Sequence, residues 1–294
     1  PTVAALAGLP APARTDGISL LPALTGRGQM RERGPLYFEY NIAGRTPDYP
    51  TFAHGRRNRL RGQMQAIRLG DLMGVRYDVK SARDDFEIYN VVTDPKETTN
   101  LAGERAYAAT QHFMQAAALR LRRPNPSAPR PYETSLVPAL APAATVAGVE
   151  WRAYAGPFPW VPDYETLTPI ASGTALRLDP AGVMSAGAPG LCFTGNLLVP
   201  ADGEYTFYLT ADTGAVLRLH GATVIDADFG YAPGTEKTAV IRLQAGLHPF
   251  RLSAIHAEGR VPALRLAWSG PGLTHQPVAD GALVHTLRST SVAP

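Results

Sequence analysis

Between residues 54 and 61 the chain reads His-Gly-Arg-Arg-Asn-Arg-Leu-Arg, which places His54, Arg56, Arg57, Arg59 and Arg61 on one short stretch. A guanidinium group presents a planar fork of donors that matches the oxygens of a sulfate or phosphate group. The stretch is therefore a candidate rim for an anionic polymer, with a solvated surface turn as the plainer alternative. No aromatic residues alternate with these arginines, so base stacking is not offered and nucleic acid is not an expected partner. The sequence contains no nucleophile elbow, phosphate-binding loop or paired-histidine zinc helix. The single cysteine, Cys192, lacks a partner for an internal disulfide and reads as a small buried hydrophobe in a strand. Seven histidines are scattered along the chain. His248 and His256 share one expected strand at even spacing and hence one face, without the further ligands a metal needs. No catalytic residue is assigned.

The elements that must position these residues fall into three regions. At 294 residues the chain exceeds one typical domain, and 45% hydrophobic with 18% charged residues is ordinary globular composition. The net charge of +3 suits anionic ligands without indicating nucleic acid. No stretch approaches the roughly 20 apolar residues of a membrane span. The chain opens on Pro1 with no visible signal peptide, which leaves its compartment open. Residues 1–123 read as mixed helix and strand. Short helices are expected near Thr2–Leu9 and Leu20–Leu24, strands at Leu36–Tyr40, Met64–Leu69 and Glu87–Val92, and a helix capped by Asn100 that runs to Arg122. In that helix Tyr107, Thr110, Met114, Ala117 and Leu121 recur at helical spacing and would pack on a sheet. Residues 124–146 carry Pro124, Pro126, Pro129, Pro131, Pro138 and Pro142 among Ala and Ser, and read as a semi-rigid linker. From residue 147 to about 288 the pattern alternates with period two. Tyr205, Phe207 and Leu209 form one inward face, as do Phe250, Leu252 and Ala254, and Leu264, Leu266 and Trp268. Turn signals recur between these runs at Asp202-Gly203, His220-Gly221, Ala245-Gly246 and Gly259-Arg260, as in a sandwich or barrel.

Several segments of the first region resemble the formylglycine-dependent sulfatases. The run Tyr89-Asn90-Val91-Val92-Thr93-Asp94-Pro95-Lys96-Glu97-Thr98-Thr99-Asn100-Leu101-Ala102 resembles the family's C-terminal signature, in which a last strand leads into the last helix. Pro1-Thr2 with Leu6-Ala7-Gly8, Asp16-Gly17-Ile18-Ser19-Leu20-Leu21-Pro22, and Gln65-Ala66-Ile67-Arg68-Leu69-Gly70-Asp71 resemble three further family segments in the same order. Leu72-Met73 stands where the family usually has Trp-Lys. The resemblance implies an α+β C-terminal sulfatase subdomain, a small antiparallel sheet plus a helix, working beside an upstream catalytic domain. It places the formylglycine nucleophile and the calcium of sulfate-ester hydrolysis in that upstream domain, and implies a periplasmic or extracellular enzyme. Phosphate or phosphonate esters are substrates elsewhere in the superfamily.

The third region resembles the protective-antigen domain, an all-β sandwich module often attached to carbohydrate-active enzymes. The resemblance runs through Gly148-Val149-Glu150-Trp151, Trp160-Val161-Pro162-Asp163-Tyr164, Asp202-Gly203-Glu204-Tyr205-Thr206-Phe207, Ala245-Gly246-Leu247-His248 and Trp268-Ser269-Gly270-Pro271-Gly272. Members that bind sugar through calcium use an Asp-Asp-Gly loop. Here the loop is Asp212-Thr213-Gly214, so Asp212 matches the first acid and Thr213 replaces the second, which weakens a hard-cation site. Asp226 and Asp228, after the next expected strand, are candidates for further ligands, with a polar turn as the plainer alternative, and Trp160 and Tyr164 are candidates to stack on a sugar face. The expected whole is the C-terminal part of a sulfatase with an appended module that holds it near sulfated polysaccharide. The alternatives are a non-enzymatic glycan-binding or adhesion protein and a structural interaction module.

Overall fold

Alternating side chains in the first region build a four-stranded antiparallel sheet from β1 (Leu36–Arg45), β2 (Leu60–Leu69), β3 (Leu72–Arg76) and β4 (Glu87–Asn90), in spatial order β1-β2-β3-β4. The computed structural model describes residues 1–31, 34–125, 127–141, 143–182, 188–257 and 262–286. By its contacts the chain divides into two units, residues 32–137 and residues 1–31 together with 138–294. Residues 1–31, which the sequence reading grouped with the sheet region, thus belong with the second unit.

In the first unit the helix Ala108–Leu121 packs one face of the sheet, burying Met114, Ala117 and Ala118 against Ile67, Phe86 and Ile88. Tyr107 and Leu121 lie at the edge of the same cluster, as their helical spacing requires. The helix starts at Ala108, later than expected, because Asn100 does not cap it. Its side-chain Oδ1 instead accepts the Ile88 and Ala102 N–H groups and holds the turn after β4. The opposite face of the sheet leaves Leu36, Phe38 and Tyr40 exposed.

The 124–146 stretch is not a free spacer over its first half. Tyr132 and Val137 are buried, and Arg122 reaches the carbonyls of Tyr132 and Ser135 at 2.9 Å each. Arg130 pairs with Glu39 at 2.8 Å and Glu133 at 2.7 Å. Burial alone would weaken its proton affinity, but the two carboxylates outweigh that and hold the guanidinium more firmly charged. Pro126 and Pro142 lie outside the described residues.

The second unit holds two antiparallel sheets. Its strands are β5 (Thr145–Ala147), β6 (Val149–Tyr154), β7 (Ala171–Ala175), β8 (Gly190–Val199), β9 (Gly203–Ala211), β10 (Gly214–Leu219), β11 (Ala222–Ala227), β12 (Lys237–Leu243), β13 (Gly246–Ile255), β14 (Leu264–Gly270), β15 (Leu273–Pro277) and β16 (Leu283–Thr286). One sheet runs β11-β10-β13-β8-β16-β5, with β6 pairing β7 and β8, and the other runs β12-β9-β14-β15. The period-two reading holds: Tyr205, Phe207 and Leu209 are fully buried, as are Leu252 and, nearly so, Trp268. The Gly259-Arg260 turn lies outside the described residues. From the N-terminal segment, Ala13 donates to the Val161 carbonyl at 2.8 Å, and Asp163 donates back to Ala11 at 2.6 Å. No described helix is long and apolar enough to cross a membrane.

Candidate functional site

The loop ends of the second unit gather most of the polar and aromatic side chains singled out from sequence. Asp212 closes β9 and opens the turn into β10. Its Oδ2 accepts from His256 Nδ1 at 2.6 Å and from the Thr213 hydroxyl at 3.0 Å, and its Oδ1 accepts from the Ala263 N–H at 3.0 Å. His256 lies just past the end of β13, so it reaches this loop, while His248 lies within β13 and bonds His220 at 2.8 Å instead. The two rings, one inside β13 and the other one residue past its end, bond different partners.

Asp226 lies near the end of β11, and Asp228 follows the strand directly. Asp228 Oδ2 accepts from the Val161 N–H at 3.1 Å, and the Asp228 N–H donates to Asp226 Oδ1 at 3.0 Å. Burial raises the pKa of the Asp228 carboxyl, with the Asp226 charge adding to it and the Val161 hydrogen bond opposing. Among the described residues no group of three or more His, Cys, Asp or Glu is placed to hold a metal ion.

Trp160 is half-buried and donates its indole N–H to the Pro10 carbonyl at 3.0 Å, so it ties the N-terminal segment down. Tyr164 is a core residue, which corrects its reading as a sugar platform. It is 2% exposed, its ring stacks on Tyr154 at 4.3 Å, and its hydroxyl donates to the Ala254 carbonyl at 2.6 Å. Gly190 lies against it, and a Cβ there would fall 2.6 Å from the Tyr164 hydroxyl, so that close approach requires glycine.

One exposed aromatic was not singled out from the sequence. Phe229, in the turn between β11 and β12, is 74% exposed. The Arg14 guanidinium lies 4.2 Å from its ring centroid and covers one ring face. The available signal was a large aromatic between Asp228 and Gly230, where a tight polar turn would otherwise be expected.

In the first unit the arginine stretch is tied largely to its own surroundings. Arg56 donates to the Glu97 carbonyl and lies 5.1 Å from the Tyr89 ring centroid. Arg57 donates to the Phe52 carbonyl at 2.7 Å and to the Pro50 carbonyl. Arg59 pairs with Glu87 at 2.5 Å over the Tyr77 ring. Burial would raise the Glu87 carboxyl, but the hydrogen bonds from Arg59 and Tyr89 outweigh it and hold it below the usual range. Arg61, half-buried on β2, makes no side-chain hydrogen bond or ion pair among the described residues. Arg56 and Arg59 therefore face carboxylates, and Arg57 and Arg61 keep the uncompensated charge.

Cys192 is buried on β8 with Ser253 Oγ at 3.7 Å, and burial pushes its thiol up to about 12. The folded protein is expected to resist a thiol-specific disulfide reagent at pH 8 and to react once unfolded in guanidinium. Because the folded pKa lies above the unfolded one, this group leaves stability unchanged below about pH 8.5 and subtracts from it as pH rises toward 12. Rapid modification of the native protein at pH 8 would contradict this burial.

Residues 147–281 match the PA14 domain family. No curated protein matches the chain. Among solved structures, an anti-sigma factor domain-containing protein from Clostridium clariflavum is 22% identical, with 55% of this chain and 53% of that chain covered and a TM-score of 0.39. The PA14 sugar-binding domain from an RTX adhesin is 18% identical, with 48% and 99% covered and a TM-score of 0.40. BT4656, solved in complex with its substrate D-glucosamine-2-N,6-O-disulfate, is 24% identical, with 40% and 22% covered and a TM-score of 0.28. The chain spans about half the length of the anti-sigma factor domain-containing proteins it matches.

Proposed function

We propose, with the PA14 domain at residues 147–281 as premise, that this module binds glycan and that the α+β region before it is the C-terminal subdomain of a sulfatase acting on sulfated carbohydrate. The observation that carries the glycan reading is the exposed ring of Phe229, next in sequence to Asp228 and close in sequence to Asp226. A pyranose presents C–H groups on its faces and hydroxyls around its rim. An aromatic ring held from one side by Arg14 offers its other face to the C–H groups, and the Asp226 carboxylate accepts from the hydroxyls.

The sulfatase reading rests on the four segments quoted above. In this protein the signature residues hold a turn: Asp94 Oδ2 accepts from the Thr98 and Thr99 N–H groups at 2.6 and 2.8 Å, and Asn100 ties that turn to β4. They do scaffold work, so the chemistry would come from an upstream catalytic domain. The exposed Leu36, Phe38 and Tyr40 on β1 are the seat we assign to that domain. Arg57 and Arg61 would favour a sulfated over a neutral polymer. A periplasmic or extracellular setting follows from this reading.

The test is a panel of sulfated and unsulfated oligosaccharides titrated into the full chain. Phe229→Ala is expected to weaken the best ligand about tenfold, worth about 1.4 kcal/mol, while leaving the melting temperature unchanged because the ring is exposed. Unchanged affinity in that variant would sink the site, and failure to bind any member of the panel would sink the glycan reading.

A further inference from the structure

The loop that would hold calcium in a sugar-binding relative of this module has its oxygen atoms already engaged. We infer that His256 occupies the cation's position at Asp212, so that this loop is closed from within and the module folds and works without calcium. A calcium site needs six to eight oxygen ligands whose lone pairs face the ion. Here hydrogens face those lone pairs instead. His256 and the Thr213 hydroxyl point at Asp212 Oδ2, and the Ala263 N–H points at Oδ1. Thr213, standing where a second acid would serve, has its own oxygen accepting the Ala257 N–H at 3.0 Å. The backbone locks the arrangement further, since the His256 N–H bonds the Pro189 carbonyl at 2.7 Å and the Asp212 N–H bonds the Ala263 carbonyl at 2.9 Å. The space left beside Asp212 and His256, walled by Pro189, Pro262 and Leu264, is about 10 Å³, the lower limit for a single water.

Thr213 and His256 act together. Thr213 removes one negative charge from the loop, and the imidazole supplies the donor that the remaining carboxylate needs. The loop thus ties the end of β9 to the end of β13 and the start of β14 without a metal.

The test uses the full chain and calcium alone. Melting temperatures in 5 mM calcium and in excess chelator are expected to agree within error, and terbium luminescence sensitised by protein aromatics is expected to stay at baseline. The double variant Thr213→Asp with His256→Ala restores the second acid and removes the internal donor, and is expected to gain a calcium-dependent rise in melting temperature. A wild-type protein that melts several degrees lower in chelator would overturn the inference, as would a folded double variant as indifferent to calcium as its parent. Glycan affinity equal in calcium and chelator extends the result to function. That arm rests on the proposed glycan reading, and loss of binding in both conditions would count against that reading while leaving the loop result in place.

Discussion

Replacing Tyr132 with alanine is expected to lower the stability of the 32–137 unit by about 3–5 kcal/mol, the range for removing a large buried aromatic. The side chain is 1% exposed, and its hydroxyl accepts from Gln65 Nε2 at 2.5 Å. Gln65 in turn accepts from the buried Arg76 at 2.7 Å and donates to the Tyr37 hydroxyl at 2.7 Å. Truncation would therefore open a cavity and also remove one acceptor from a network in which each buried partner depends on the next. The measurement is guanidinium unfolding of the full chain, read by hydrogen exchange at β2 and the helix Ala108–Leu121. An unchanged midpoint at those amides would return residues 124–137 to the role of a spacer. Pro129→Ala in the same segment serves as the control, because it removes no buried group and is expected to shift the midpoint little.

The second large effect is in the module. Tyr164→Ala is expected to cost about 3–5 kcal/mol and Tyr164→Phe about 1–3 kcal/mol, the latter because the Ala254 carbonyl loses its donor in a buried setting. The ring is packed between Tyr154 and Phe158 and lies against Gly190, so no larger neighbour can move in to fill the space. If Tyr164 served a sugar, the Phe variant would keep its stability and lose affinity. The core assignment predicts the reverse, with a lower melting temperature and glycan affinity unchanged at temperatures where the variant is folded. The pairing with Phe229→Ala is informative, since that exposed ring is expected to show the opposite pattern.

The contrast between these two aromatics shows why site residues were harder to read than the fold. Both sit near polar turn residues in the sequence, and type and spacing alone do not tell which ring faces water. Tyr164 turns inward because a short 3-10 turn, Tyr164–Thr166, follows Asp163, which is pinned to Ala11. Phe229 stays outside because the chain has already left β11. The arginine stretch gave a correct count of charge and an incomplete picture of its use, because Glu87 and Glu97, which compensate two of the four arginines, come from segments about 30 to 40 positions away. The exposed β1 side chains reverse the usual expectation as well. Tyr37 and Glu39 point toward the polar network of Gln63, Gln65 and Arg130, and the apolar alternates are left outside.

What the amino-acid order determined by itself was local. The period-two runs set the strands of the module, the 3.6-residue spacing of Met114, Ala117 and Leu121 set a helix with one buried face, and burial of Cys192 followed from its strand context. These depend on side-chain direction along a single element, which is a property of neighbours in sequence. Only the tertiary structure decided the partners. It brought His256 to Asp212 across 44 positions, Tyr132 to Gln65 across 67, and Trp160 to Pro10 across 150. Whether a carboxylate faces a cation or an N–H, and whether a proline-rich segment is a spacer or part of a core, is set by what the fold places opposite it, and a linear pattern carries no record of that.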